Sequence, residues 1–141
     1  MTPVFWVGLR TILLLTWLSG GSSAAEWVPI DGTYQSPGLR TVYIDSASVR
    51  REQSLVTLSV LIDWKWMQGG RSPTRFSSTM FTKQIDCSGK RVRSLAATDF
   101  YGPMGTGVAT PGIGYTSESV WTEIEPDSLS QGVGEMVCGK Q

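Results

Sequence analysis

The sequence predicts a small α+β domain, mainly β, in which one disulfide ties a C-terminal helix to an antiparallel sheet. Three observations predict this fold. The stretch from Leu55 to Trp66 alternates apolar and polar side chains, as a half-buried strand does. A helix-capping signal followed by an amphipathic stretch begins at Ser128. The only two cysteines, Cys87 and Cys138, are placed to join these parts.

The first 25 residues are expected to be a signal peptide. Arg10 precedes the apolar run Thr11–Leu18, and the small residues Ala24 and Ala25 suit a signal peptidase. The run is too short for a membrane span and no cysteine follows it, so neither a span after cleavage nor a lipid anchor is expected. Residues 26–141 are then one domain, with export to the periplasm expected and the cell surface and the medium as alternatives.

Three further strands and one loop are predicted around the long strand. The strands are Val42–Ser46, Ser77–Cys87 and Arg91–Tyr101, and their short connections favour antiparallel pairing. In the second of these, Phe81, Ile85 and Cys87 are expected on one face. Gly102–Gly114 holds five glycines and two prolines, which predicts a loop without regular structure. This loop lacks the features of a phosphate-binding motif.

The C-terminal helix has a clear start and weak interior positions. Ser128-Leu129-Ser130-Gln131 fits a capping box, in which Ser128 caps the helix and Gln131 reaches back. Gly132 and Gly134 each weaken a helix by about 1 kcal/mol relative to alanine. The apolar face is predicted to comprise Leu129, Val133, Met136 and Val137.

A disulfide between Cys87 and Cys138 would hold this marginal helix on the sheet. Two isolated cysteines in an exported chain favour one structural bridge. The bridge closes a loop of about 50 residues, for which chain entropy gives roughly 4 kcal/mol of stabilisation.

Composition excludes several classes of function. The chain has 12 basic and 12 acidic residues and no histidine. This balance does not support nucleic-acid binding, and the lack of imidazole removes histidine-based triads and histidine metal sites. A non-enzymatic protein without cofactor or metal is therefore expected. A hydrolase with paired carboxylates stays open as an alternative if two of four acidic residues lie within about 10 Å in a cleft: Asp63, Asp86, Asp99 and Glu123.

Exposed aromatic and basic side chains are the candidate binding residues. Trp66 lies at the end of the long strand, where an aromatic platform can contact a ligand. Cations near two turns would suit an anionic glycan or an acidic protein face if they converge. The candidate set is Trp66, Arg71, Arg75, Lys90, Arg91 and Arg93.

The order of several short motifs resembles the bacterial surface-adhesin protein E family. They are Val42-Tyr43-Ile44-Asp45, Ile62-Asp63-Trp64, Ile85-Asp86-Cys87, Arg93, Tyr101 with its glycine-rich sequel, Trp121-x-x-Ile124-x-Pro126-x-Ser128 and Val137-Cys138. The resemblance spans nearly all of the mature domain. It implies the same sheet, helix and disulfide, a Gram-negative envelope protein, and adhesion to host matrix proteins.

These observations lead to one expected function and two alternatives. The expected function is a non-enzymatic, adhesin-like protein-binding module of the cell envelope. The first alternative is a periplasmic protein that binds a small apolar molecule in a pocket of about 300 Å³ or more lined by aromatic residues. The second is the carboxylate-dependent hydrolase.

Overall fold

The computed structural model describes residues 24–111 and 120–139. Apart from Ala24 and Ala25, the predicted signal peptide lies outside the described residues. Within them, eight strands and one α-helix follow in the order β1 Trp27–Pro29, β2 Arg40–Asp45, β3 Arg50–Glu52, β4 Leu55–Gln68, β5 Phe76–Asp86, β6 Arg91–Phe100, β7 Ala109–Pro111, β8 Thr122–Glu123 and α1 Leu129–Cys138.

The strands form one antiparallel sheet. Its order is β1-β2-β4-β5-β6-β7, with β3 pairing to β4 and β8 pairing to β6. The predicted antiparallel pairing of the long strands is confirmed, and their bounds agree with prediction to within two residues. β1, β3 and β8 were not predicted, because two or three residues are too few to show a period.

The helix covers one face of the sheet, called the helix face here. The even positions of β4 point to this face, and Val56, Leu58 and Val60 are almost completely buried there. Val133 and Val137 of α1 join the same cluster. The core comprises Ile30, Val42, Ile44, Val56, Leu58, Val60, Ile62, Phe81, Ile85, Val92, Val133 and Val137.

The glycine-rich segment is more ordered than predicted. Its first part forms a 3₁₀ turn, Pro103–Gly105, over the opposite face of the sheet. There Leu61 is fully buried although the residues beside it on the same face of β4, Ser59 and Asp63, are polar. Ser78 Oγ accepts the Gly105 N–H at 2.9 Å, which fixes the turn. Residues 112–114 of the predicted loop lie outside the described residues.

The second part of that segment forms a strand, so the prediction of a loop without regular structure is wrong here. Ala109–Pro111 of β7 pairs with the last residues of β6. Val108, Ala109 and Thr110 are compatible with extended backbone, and Pro111 is tolerated on an edge strand. Glycine and proline content alone therefore underestimated the local order.

The helix begins as predicted. Ser128 Oγ accepts the Gln131 N–H at 3.2 Å, and Gln131 Oε1 accepts the Asp127 N–H at 2.6 Å, one residue before the cap. Cys87 and Cys138 form the predicted disulfide, with their Cα atoms 5.6 Å apart.

One residue of the predicted helix face is placed wrongly. Met136 is exposed, whereas Gly132 and Gly134 are buried together with Val133 and Val137. At Gly132, an added Cβ would lie 2.9 Å from Ile30 Cδ1 and from Tyr34 Cβ. The glycines thus turn the buried face of α1 towards the segment that follows β1.

Candidate functional site

The six predicted binding residues occupy two ends of the sheet. Trp66, Arg71 and Arg75 lie at the end that carries the β4–β5 connection, called the loop end here. Lys90, Arg91 and Arg93 lie at or beside the β5–β6 turn, near the disulfide, called the disulfide end. β5 has 11 residues, so at roughly 3.3 Å per residue the two ends are about 33 Å apart. The structure therefore divides the six predicted residues into two groups, three at the loop end and three at the disulfide end.

The loop end is built from a bulged strand and two consecutive turns. The pairing of β4 with β5 shifts register between Asp63 and Gln68, and Trp66 is 66% exposed in this stretch. Gly69 and Gly70 have φ values of 88° and 56°, which glycine adopts without strain. The connection then closes through the Ser72 N–H bonded to Gly69 O and the Arg75 N–H bonded to Ser72 O. Arg71 and Arg75 are exposed on it.

Asp86 organises the turn at the disulfide end. Its carboxylate accepts the Gly89 N–H at 3.0 Å, an Arg91 guanidinium N–H at 3.0 Å and the Ser54 hydroxyl at 3.3 Å. The Gly89 hydrogen bond, followed by that of Arg91, lowers the pKa of Asp86 below its ordinary value. The carboxylate is thus a fixed anion that orients the Arg91 side chain.

Arg91 and Arg93 both contact Trp121, a residue that was not among the predicted binding residues. Their guanidinium carbons lie 5.2 and 4.5 Å from the centre of the indole ring. Arg93 also donates through Nε to Gln84 Oε1 at 2.8 Å. Trp121 directly precedes β8, whose register against Arg91 and Val92 brings the ring to this place. The contact of Trp121 with the two arginines follows from the pairing of β8 with β6. It could not be predicted, because a strand of two residues leaves no pattern in the sequence.

A groove of about 280 Å³ lies beside the disulfide between α1 and the end of β5. None of its lining residues is aromatic. Its walls are Ile85, Asp86, Cys87, Lys90, Ile124, Pro126, Gln131, Gly134, Glu135, Cys138 and Gly139. The groove does not have the aromatic lining that the small-ligand alternative requires, and it gives that alternative no support.

The four candidate carboxylates do not form a catalytic pair. Asp63 accepts the Met104 N–H at 3.0 Å, whereas Asp99 is buried and accepts the Thr79 hydroxyl at 2.9 Å. Asp86 and Glu123 flank Arg91 on neighbouring strands, which places their backbones about 10 Å apart. Arg91 lies between them and forms an ion pair with Asp86 at 3.0 Å, so Asp86 is paired with a cation rather than with a second carboxylate.

Within residues 24–111 and 120–139, no group of three or more histidine, cysteine or acidic residues is placed to hold a metal ion. In the same part of the chain, no helix is long and apolar enough to cross a membrane.

The fold and its surfaces define a class of protein: a small disulfide-tethered sheet-and-helix domain that presents basic and aromatic surfaces. Residues 27–139 match the family described as surface-adhesin protein E, and the chain belongs to this family. No curated protein sequence matches the chain significantly.

Solved structures of Haemophilus influenzae protein E share the fold. The selenomethionine form is 12% identical, with a TM-score of 0.62 over 82% of this chain and 92% of that chain. Crystal form II is 14% identical, with a TM-score of 0.59 over 69% and 79% of the two chains. A structure from a non-typeable strain is 12% identical, with a TM-score of 0.54 over 82% and 85%. At these identities the likeness shows the fold alone.

Proposed function

We propose that this chain is a non-enzymatic, exported envelope protein that binds an acidic protein partner through its disulfide end. Membership of the surface-adhesin protein E family supports a binding role. The proposed contact residues are Lys90, Arg91 and Arg93 together with Trp121.

The observation that carries this proposal is that other residues of the fold already hold the guanidinium groups of Arg91 and Arg93 in place. Asp86 fixes Arg91, Gln84 fixes Arg93, and both groups lie against Trp121. Ordering a long side chain on binding costs about 0.5–1.5 kcal/mol, and here that cost is met before a partner arrives. Arginine and tryptophan are also the residue types that dominate the binding energy of protein interfaces.

The chemistry of these side chains favours carboxylate groups on the partner. The Arg91 side chain is 47% exposed and Lys90 is exposed at the adjoining turn. An arginine fork pairs with carboxylates in a bidentate geometry that lysine lacks. An anionic glycan offers similar charges and is the competing partner class.

The described acidic residues support a non-enzymatic role. Asp63, Asp86 and Asp99 each accept hydrogen bonds within the fold, and Arg91 separates Asp86 from Glu123. The lowered pKa of Asp86 opposes its use as a general acid near neutral pH.

Binding is tested with the exported chain and a matched pair of double variants. Arg91→Gln/Arg93→Gln removes two cations from the proposed surface, and Arg50→Gln/Arg51→Gln removes two exposed cations from β3 as the control. Interferometry on an immobilised coat of extracellular-matrix proteins, which serve here as protein probes in vitro and not as the native partner, should show at least tenfold weaker binding for the first variant only. Equal binding by both variants, with unchanged melting temperatures, contradicts the proposal. Binding to a heparin oligosaccharide but not to the protein coat indicates the glycan class instead.

The location is tested by protease treatment of intact cells and of cells with opened outer membranes. We propose the periplasm as the main location, so protection until the membrane is opened is the expected result. Cleavage on intact cells would place the domain at the surface and make direct adhesion to a host the working hypothesis.

A further inference from the structure

Exposed apolar side chains concentrate at the loop end of the sheet. Among the described residues, eight large apolar side chains are exposed, and five of them lie at this end. Trp66 is 66% exposed and Val108 is 71% exposed. The other three are Leu39, Met67 and Tyr101.

Hydrogen bonds place these five residues on neighbouring strand ends. Leu39 O accepts the Lys65 N–H at 3.0 Å, which sets the start of β2 beside the end of β4. Ser77 Oγ donates to Tyr101 O at 2.8 Å, which sets the end of β6 beside β5. The Tyr101 N–H donates to Val108 O at 3.0 Å. Since neighbouring strands are about 4.8 Å apart, the five side chains border one narrow strip at the end of the sheet.

Among the described residues, the exposed charges at this end are all positive. Arg40, Lys65, Arg71 and Arg75 belong to it, and no acidic residue occurs in positions 64–85 or 100–111. The nearest carboxylates, Asp63 and Asp99, accept hydrogen bonds from Met104 and Thr79 inside the fold. Most other acidic residues of the described chain lie towards the disulfide end or in α1 and the segment before it.

We infer that the loop end is a docking surface for an anionic phospholipid membrane. This loop-end surface comprises Leu39, Lys65, Trp66, Met67, Arg71, Arg75, Tyr101 and Val108. Tryptophan and tyrosine side chains favour the level of the lipid headgroups, and aliphatic side chains can enter the acyl boundary. Arginine side chains beside them reach the phosphates while their methylene groups stay in apolar surroundings. Each cation near such a surface contributes about 1 kcal/mol.

The shape of this end favours lipid over a protein as the occupant. A stable protein interface buries about 800 Å² on each partner with complementary packing. The loop end is the narrow edge of one sheet, and its β4–β5 connection is exposed from Gly69 to Arg71 and from Pro73 to Arg75. A fluid layer of lipid headgroups can adapt to the narrow loop end. A protein partner would need a concave surface complementary to it.

Vesicle co-sedimentation tests this inference with the exported chain. Vesicles of phosphatidylcholine with 30% phosphatidylglycerol are compared with vesicles of phosphatidylcholine alone. Arg71→Gln/Arg75→Gln should weaken binding to the anionic vesicles by about 30-fold, which corresponds to two cations at about 1 kcal/mol each. The control Arg50→Gln/Arg51→Gln changes the same charge at exposed positions of β3 and should bind within threefold of the unaltered chain.

Brominated lipids test which side chain enters the membrane. They should quench part of the tryptophan fluorescence of the unaltered chain, and Trp66→Phe should abolish that quenching while leaving the melting temperature unchanged. Absent binding to the anionic vesicles, or equal losses in the two arginine variants, overturns the inference. Loss of matrix-protein binding in Arg71→Gln/Arg75→Gln without any vesicle binding assigns the surface to a protein instead. These results are independent of the disulfide-end variants, so the two proposals can fail separately.

Discussion

The contact between Gly132 and the segment after β1 predicts that the same substitution has different effects on stability at two glycines of α1. Gly132→Ala and Gly134→Ala both replace a buried glycine inside α1, so both gain about 1 kcal/mol of helix propensity. The new Cβ at position 132 would lie 2.9 Å from Ile30 Cδ1 and from Tyr34 Cβ and Cδ2. The new Cβ at position 134 meets Ile124 Cδ1 at 3.6 Å, an ordinary van der Waals distance.

The difference in unfolding free energy between Gly132→Ala and Gly134→Ala isolates the cost of the close contact at position 132. Overpacking of a tight contact costs about 1–3 kcal/mol, and the propensity gain cancels between the variants. Gly134→Ala should therefore be more stable than Gly132→Ala by about 1–3 kcal/mol. The assay is urea denaturation of both variants under non-reducing conditions, followed by fluorescence, with equal m-values as the check on two-state behaviour. Equal stabilisation by both substitutions would refute the packing of α1 at Gly132.

Three further predictions concern the disulfide and two titrating groups. Cys138→Ala should lower the free energy of unfolding by about 2–5 kcal/mol, and an identical melting temperature with and without reductant would contradict this. The pKa of Asp86 is lowered in the folded state, so its ionised carboxylate stabilises the fold. This contribution is complete above the unfolded pKa of about 3.9 and is lost as pH falls through the folded pKa. The difference in melting temperature between the unaltered chain and Asp86→Asn should accordingly narrow at acid pH, and a constant difference would refute the role of the charge. The hydrogen bond from Tyr34 to Glu135, at 2.8 Å, raises the pKa of Tyr34 to about 12. The stability that this hydrogen bond contributes is therefore complete below pH 10 and is lost as pH rises through about 12. Ultraviolet absorbance titration should show a tyrosine ionisation near pH 12 that Tyr34→Phe removes and that Glu135→Gln shifts to lower pH.

The periodicity of the long strands was sufficient to predict the centre of the sheet. In β4, one face is apolar from Val56 to Ile62, and burial alone explains that pattern. The cap at Ser128 and the two cysteines similarly fixed the helix and its attachment. These features depend on neighbouring residues or on covalent chemistry, which a sequence displays directly.

Features that depend on register between distant strands could not be predicted in the same way. Lys83 lies on the helix face between Phe81 and Ile85, where burial lowers its pKa and its Nζ lies 4.9 Å from the Phe81 ring centre. Its hydrogen bond to Ser94 Oγ, at 3.1 Å, depends on a register shift between β5 and β6. The contact of Trp121 with Arg93 depends on the pairing of β8.

The antiparallel sheet itself keeps the two candidate surfaces apart. β4, β5 and β6 each run from one surface to the other, so the tryptophan and five cations predicted as one group are divided by the length of a strand. Sites more than about 10 Å apart with no shared partners contribute additively. A domain held to a membrane by its loop end would carry the ordered arginines of the disulfide end about 33 Å from the lipid, free to meet a partner. The same strand length that prevents the two groups from forming one site therefore allows each to act without obstructing the other.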